Sequence, residues 1–231
     1  ISEQGKNNRR PKEIYNRVNS AFSQLMPGEF NWPQIFKGCD WVHISGITLG
    51  LSDNLSELAL EACMMARDAG LVVSCSIDYR EDVWNREKAR LVLGGLMDYV
   101  DVCVLTVREA FDVFGITTIG TLDEDSMIET ASKLMSRYSF QLTALMSEEK
   151  VPRTNHKNWS GLLFDGRQSY YSGDFEIEDE SVGPGTGSFC AGLIYGMIQN
   201  KDFDDIIKFA AASYILRHTT SGSIGLSSAL D

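Results

Sequence analysis

The sequence has no apolar run near the roughly 20 residues that a membrane-spanning helix needs, so we expect a soluble protein. Positive charge is also scarce: 21 Lys and Arg residues stand against 32 Asp and Glu residues, a formal net charge of −11. An acidic chain of this kind argues against nucleic acid or an anionic membrane as a partner, while a local basic pocket for a small anion stays compatible with it.

The sequence also lacks Cys-x-x-Cys motifs and any linker that would divide it into domains. The five cysteines are scattered and none belongs to a Cys-x-x-Cys motif, so we expect buried free thiols in a reducing cytoplasm. The chain shows no signal peptide, repeat, low-complexity tract or linker. With 231 residues, 43% of them hydrophobic, we predict a single domain over residues 1–231.

Short apolar runs alternate with helix-like periodicity through most of the chain. The runs predict buried strands at 41–46, 71–77, 101–105 and 140–146. Strand, helix and strand joined by short connections predict a parallel sheet with right-handed crossovers. His43, inside the first of these strands, is interpreted as a satisfied core histidine rather than as a ligand or a base.

Capping residues mark the helix ends. Ser52 and Asp123 are predicted to begin helices, and Gly70 and Gly115 to end them. The last helix is expected at 203–218. Two connections are also predicted: a polar, mobile loop at 147–158 and a hairpin turn at 165–166.

Three glycines precede a helix-forming run at 188–199: Gly183, Gly185 and Gly187. Backbone N–H groups of such a loop, together with the positive end of the helix, would form an anion or phosphate site. The other interpretation is a tight turn into a helix that packs closely on its neighbour. The glycine pattern alone favours neither interpretation.

Several segments resemble known enzymes in the same order along the chain. Ser188-Phe189-Cys190-Ala191-Gly192 is similar to the C-terminal signature of the ribokinase-like (PfkB-type) sugar kinases. Segments 41–48, 73–80, 99–103 and 158–166 resemble the branch of that family that phosphorylates 2-keto-3-deoxygluconate. The resemblance implies a ribokinase-like three-layer α/β/α sandwich with a mostly parallel central sheet. It further implies ATP and Mg²⁺ as cofactors and a sugar acid as substrate.

The resemblance also implies roles for individual residues. Tyr15 and Arg17 look like the residues that meet the sugar acid, and Arg80 looks like the arginine that pairs with its carboxylate. Glu109 matches the acidic residue that organises Mg²⁺ through water. The anion hole for the transferred phosphate matches Gly183, Gly185, Thr186 and Gly187.

The sequence departs from the family at the positions of the catalytic and metal-site residues. The position of the catalytic Asp falls on Gly187, or on Thr186 with one inserted residue, and neither side chain accepts a proton at pH 7. The family's metal-site Asn is Thr106, whose hydroxyl can still hold a water. The Asn before the Tyr-Arg pair is Asp78, which adds negative charge, and an arginine is replaced around Met146.

These departures leave the catalytic residue unknown and the function open between three hypotheses. In the first hypothesis, the chain is a working sugar-acid kinase that uses another base, and Asp179 and Glu180 are the candidates nearest in sequence. In the second hypothesis, it is an impaired or dead relative that binds nucleotide or sugar acid without efficient phosphoryl transfer. In the third hypothesis, it is a fragment that lacks the family's N-terminal segment, which would supply the first strands. A homo-oligomer stays open.

Overall fold

In the computed structural model of the chain, the described residues are 2–3, 12–13, 20–118, 122–178 and 185–219. The chain divides into two compact units. The first unit comprises Arg17–Leu145 and Phe164–Ser169, and the second comprises Ile1–Asn16, Met146–Leu163 and Tyr170–Asp231.

The described strands form a six-stranded sheet with the order β3-β4-β5-β6-β7-β8, and a separate antiparallel pair of β1 and β2. The β3–β4 and β4–β5 pairs are parallel, which confirms the predicted βαβ connections. All four predicted strands are present within one or two residues, except that β6 continues further. The strands are β1 (Ser2–Glu3), β2 (Lys12–Glu13), β3 (Trp41–Ser45), β4 (Val72–Ser76), β5 (Val102–Thr106), β6 (Leu142–Lys150), β7 (His156–Phe164) and β8 (Ser169–Glu178).

Most of the described helices belong to the first unit. They are α1 (Trp32–Ile35), α2 (Gly46–Gly50), α3 (Asp53–Asp68), α4 (Arg86–Leu96), α5 (Val107–Phe114) and α6 (Glu124–Arg137), with short 3-10 turns at Phe22–Gln24 and Met97–Tyr99. The second unit contains α7 (Thr186–Ile198) and α8 (Phe203–Thr219). Among the helices that the structure describes, none is long and apolar enough to cross a membrane.

Local capping explains where the helices of the first unit begin and end. The Ser52 hydroxyl accepts the Leu55 N–H at 3.1 Å, and Asp123 forms a capping box with Ser126. Gly115 closes α5 in the left-handed conformation with φ 69°, and Gly70 follows α3 with φ 76°. All four predicted boundaries are therefore confirmed.

The core of the first unit forms where α3 packs against the sheet. The helix buries one face, and β4 and β5 are buried along nearly their whole length. Four of the five free cysteines are buried, as predicted, but Cys39 is exposed. Cys39 follows α1 in a short connection rather than in an apolar strand, which explains the difference.

The loop predicted at 147–158 is wrong. β6 continues to Lys150 and β7 begins at His156, so only five residues separate the two strands. The polar run is accommodated because its side chains pair across the strands: Glu148 Oε2 lies 3.1 Å from Lys157 Nζ. The turn predicted at 165–166 is confirmed, since Asp165 Oδ1 accepts the N–H groups of Arg167 and Gln168 and Gly166 has φ 88°.

Candidate active site

Three neighbouring parallel strands of the first unit bring polar side chains to one edge. β3 ends at Ser45, β4 is followed by Asp78, and β5 ends at Thr106, which precedes Glu109 in α5. Ligands in open α/β sheets bind at the carboxyl ends of the strands, so this edge is the candidate active site of the first unit.

Asp78 is held in a strained backbone conformation at that edge. Its φ of 43° is left-handed, which non-glycine residues seldom adopt, although Asp is among the more tolerant. Its Oδ2 accepts the hydroxyls of Ser45 and Ser76, each at 2.5 Å. The carboxylate therefore ties the ends of β3 and β4 to the loop that follows β4.

Glu109 lies in the same edge and is surrounded by donors. Its Oε1 accepts the Tyr79 N–H at 2.8 Å, while its Oε2 accepts the Thr106 N–H at 2.7 Å and the Thr106 hydroxyl at 3.0 Å. Desolvation by burial raises the pKa of Glu109 to about 7; the negative charge of Asp78 adds to this rise, and the hydrogen bonds from Thr106 and Tyr79 oppose it. Burial thus favours the protonated form of this carboxyl more than an exposed position would.

Thr106 does not have the spare hydroxyl that the sequence suggested. Its Oγ1 donates to Glu109 and accepts the Glu109 N–H at 3.1 Å, so Thr106 and Glu109 form a complete capping box for α5. The hydroxyl proton is already used, and any water at Thr106 could only donate to it.

Arg80 follows β4, as predicted, but its guanidinium already has a carboxylate partner. Arg80 Nε lies 3.0 Å from Asp82 Oδ1, and its Nη2 lies 3.1 Å from Asp82 Oδ2. The side chain is 36% exposed and that of Asp82 is 63% exposed, so the pair is near the surface and is worth about 0–1 kcal/mol. A bidentate contact of this kind is the one that a substrate carboxylate would make.

His43 is satisfied, as predicted, but it is not a core residue. It is exposed on β3, and both ring nitrogens face serine hydroxyls: Nδ1 lies 2.8 Å from Ser74 Oγ and Nε2 lies 3.3 Å from Ser76 Oγ. Desolvation lowers the pKa of His43, and the charge of Asp78 opposes this effect. Sequence reasoning missed the two serines because their partner lies on the neighbouring strand.

The start of α7 is the candidate anion site of the second unit. Gly185 is the N-cap with φ −71° and offers no side-chain cap, so the N–H groups of Thr186 and Gly187 have no acceptor within the helix. A Cβ on Gly185 would lie 2.5 Å from Tyr214 Cε2, so only glycine fits there. The close-packing interpretation is thus confirmed at Gly185, and the anion interpretation stays a prediction.

Gly187 differs from Gly185 in its surroundings. It is exposed in the first turn of α7, and a Cβ built on it would meet nothing within 4 Å among the residues that the structure describes. A side chain at this position is therefore sterically accommodated.

A partly buried ionic group lies beside Gly185 in the second unit. Tyr214, whose ring contacts Gly185, donates its hydroxyl to Glu148 and accepts from Lys157 Nζ at 3.1 Å. Lys157 is only 8% exposed, and the Tyr214 ring stacks on Trp159 at 4.4 Å. Sequence reasoning missed this group because it placed Glu148 and Lys157 in a loop.

Five residues singled out from the sequence lie outside the described residues: Tyr15, Arg17, Asp179, Glu180 and Gly183. Whether Arg17 and Arg80 bind one ligand stays a prediction.

Comparison with known proteins decides the family. No family model matches the chain. The solved structure of a 2-dehydro-3-deoxygluconokinase from Thermotoga maritima is 31% identical and superposes with a TM-score of 0.88, over 96% of this chain and 67% of that one. The chain belongs to the PfkB family of sugar kinases. The family and the ribokinase-like α/β/α fold predicted from the sequence are thereby confirmed.

Two further proteins are similar to the chain at lower identity. A 2-dehydro-3-deoxygalactonokinase of Haloferax volcanii is 25% identical over 225 residues, which are 97% of this chain and 65% of that enzyme. A structure from E. coli described as a putative ribokinase II in complex with ATP and Mg²⁺ is 15% identical and has a TM-score of 0.73. The match covers 94% of this chain and 64% of that one and shows a likeness in fold alone. The chain thus spans about two thirds of the length of these relatives.

Proposed function

We propose that the chain serves the ATP-dependent phosphorylation of a sugar acid of the 2-keto-3-deoxygluconate class. The similarity to the Thermotoga kinase, at 31% identity over 96% of the chain, is the observation that carries the proposal. The polar edge formed by Asp78, Arg80 and Glu109 supports it, because the loop after β4 and the start of α5 meet there.

Arg80 is the proposed contact for the substrate carboxylate. Its guanidinium already makes two parallel hydrogen bonds to a carboxylate, that of Asp82, and the pair is exposed enough for exchange with solvent. A sugar acid would replace Asp82 as the partner. Tyr15 and Arg17 are proposed to complete this end of the substrate site.

The start of α7 is the proposed site for the phosphate that is transferred. The N–H groups of Thr186 and Gly187 and the positive end of the helix favour an anion there. Gly183 and Gly185 are proposed to complete this anion hole.

The residues present fit Mg²⁺ in an outer position. Three donors already occupy the Glu109 carboxylate, which leaves about one of its four lone pairs for a metal-bound water. Within the described ranges no group of three or more metal-ligating side chains occurs, and Mg²⁺ in kinases needs few protein ligands because phosphate oxygens supply the rest. When bound, the ion would neutralise charge on the phosphate.

The base is the weak point of the proposed kinase. Gly187 has no side chain and Thr186 has only a hydroxyl, so neither takes the proton from an attacking sugar hydroxyl at pH 7. This observation favours a second candidate function, a relative that binds its ligands but transfers phosphate poorly.

Restoring a carboxylate at Gly187 tests both candidates. Because the position faces open space, Gly187→Asp adds the group without a clash, and Gly187→Asn is a matched control of nearly equal shape that cannot act as a base. We expect ATP turnover with 2-keto-3-deoxygluconate to rise by about 10²–10⁴-fold in the Asp variant only. Thr186→Asp with Gly187 deleted tests the other register.

The outcome is read from steady-state kinetics on the full-length gene product. ATP affinity is expected to stay nearly constant in all variants, since the N–H donors are backbone groups. Family-like turnover in the parent would show that the base is elsewhere, and Asp179 and Glu180 would then be replaced. Absence of both sugar-acid binding and ATP binding would refute the proposed function.

A further inference from the structure

A chain of hydrogen bonds runs from β3 across β4 to the candidate active site. Trp41 Nε1 lies 2.8 Å from Ser74 Oγ, which lies 2.8 Å from His43 Nδ1. On the other side of the ring, His43 Nε2 lies 3.3 Å from Ser76 Oγ, which lies 2.5 Å from Asp78 Oδ2. Five side chains from two neighbouring strands and their following loop are thereby connected.

The two ends of the chain, together with the distances inside it, fix the direction of each proton. An indole N–H only donates and a carboxylate only accepts. Ser76 gives its single proton to Asp78, so it must accept from His43 Nε2. Ser74 accepts from Trp41 and gives its proton to His43 Nδ1, because its other acceptor, the Val42 carbonyl, is more distant at 3.4 Å. His43 is therefore the neutral tautomer with its proton on Nε2.

Asp78, at the end of this chain, controls the turn that carries Arg80. Its left-handed backbone directs the next N–H, that of Tyr79, onto Glu109 at 2.8 Å. The Arg80 carbonyl then accepts the N–H groups of Val83 and Trp84 and closes the turn. The side chain of Asp78 therefore fixes the backbone two residues before Arg80.

We propose that His43 is a positioning residue for the substrate site. Its Nε2–H orients the Ser76 hydroxyl onto Asp78, and Asp78 in turn holds the loop in the conformation that presents Arg80 to a ligand carboxylate. The identity of that ligand rests on the proposed function, whereas the positioning of the loop does not. His43 lines a cavity of about 280 Å³, so its replacement by a side chain of similar size does not overpack the unit.

Three measurements on variants of the chain test the proposal. His43→Leu removes the donor, and His43→Gln keeps an N–H donor near the position of Nε2. The matched control is His156→Gln, since His156 is a half-buried histidine on β7 that is hydrogen-bonded to Glu176. Nitrogen NMR reports the tautomer of His43, calorimetry gives the affinity for 2-keto-3-deoxygluconate and for ATP, and mass spectrometry gives the rate of trypsin cleavage after Arg80.

We expect the Nε2–H tautomer in the parent chain. His43→Leu should weaken sugar-acid binding about tenfold, because Arg80 would lose one charge-assisted hydrogen bond to the ligand carboxylate. The affinity for ATP should be unchanged. His43→Gln should recover most of that loss, and His156→Gln should change nothing. His43→Leu added to Ser76→Ala should cause little further loss, because His43 acts on Asp78 only through Ser76.

The Nδ1–H tautomer in the parent, or parent-like sugar-acid affinity in His43→Leu, would overturn the proposal. If the parent binds no sugar acid, the proposed function fails, and trypsin then decides the positioning role. Cleavage after Arg80, relative to cleavage after the exposed Arg167, should be about tenfold faster in His43→Leu than in the parent and in His43→Gln. Equal rates of cleavage after Arg80 in the parent, His43→Leu and His43→Gln would overturn the proposal.

Discussion

Replacing Glu109 with Gln should change how the stability of the protein depends on pH. Burial of the carboxyl, aided by the charge of Asp78 and opposed by hydrogen bonds from Thr106 and Tyr79, raises its pKa from 4.5 to about 7. The folded protein therefore holds this proton more tightly than the unfolded chain does. Gln at the same position has no proton to lose in this range.

The sign and size of the effect follow from proton linkage. Because the folded pKa is raised, the stabilisation from the protonated carboxyl is fully present below about pH 4.5 and is lost as the pH rises through about 7. A rise of this size corresponds to about 3 kcal/mol of unfolding free energy. Most of the loss should fall between pH 5 and pH 7.

The measurement is urea unfolding from pH 4 to pH 8 of the parent, Glu109→Gln and a control, Glu124→Gln, whose carboxylate lies exposed in the first turn of α6. The free-energy difference between the parent and Glu109→Gln should shift by about 3 kcal/mol against the parent over this range. The difference between the parent and Glu124→Gln should stay nearly constant. Parallel curves for the parent and Glu109→Gln would show that Glu109 has the same pKa in the folded and the unfolded chain, and the reasoning from burial would be refuted.

Three further substitutions test the site and the fold. Asp82→Ala removes the competitor of the substrate carboxylate, so calorimetry should show several-fold tighter sugar-acid binding; unchanged affinity would argue against Arg80 as its partner. Leu134→Ala in α6, fully buried in the parent, should lower the urea unfolding free energy by about 2–5 kcal/mol, and a loss below 1 kcal/mol would mean that the cavity collapses. Gly115→Ala should cost about 1–2 kcal/mol in the same assay because of its φ of 69°, and no loss would show that α5 can end differently.

The elements of the first unit could be predicted because their signals are local. A capping residue such as Ser52 or Asp123 acts on N–H groups two or three positions away, and Gly115 ends its helix through its own backbone. The strand at 147–150 was missed for the opposite reason. Glu148 is paired with Lys157 of β7, and the periodicity of the polar run does not show a contact across two strands.

The same distinction separates what could be predicted of the candidate site from what could not. The placement of Asp78, Arg80 and Glu109 at one edge follows from parallel strands that end on the same side. The hydrogen-bond partners of these side chains could not be predicted in the same way. Asp78 binds Ser45, which lies 33 positions earlier, and Arg80 binds Asp82, although a ligand carboxylate was expected. Pairings between strands depend on side-chain directions that only the folded chain fixes.

Glu109 illustrates why a family residue is weak support for family chemistry. The sequence Thr106-Val-Arg-Glu109 forms a capping box, and the Glu109 carboxylate also fixes the Tyr79 N–H, so the residue stabilises α5 and the loop after β4 without any metal. A chain that had lost phosphoryl transfer would still need it. Gly187 has no comparable structural duty, since its Cβ position is open. The presence of Glu109 therefore does not separate a working kinase from an impaired one, whereas the response to a carboxylate at position 187 does.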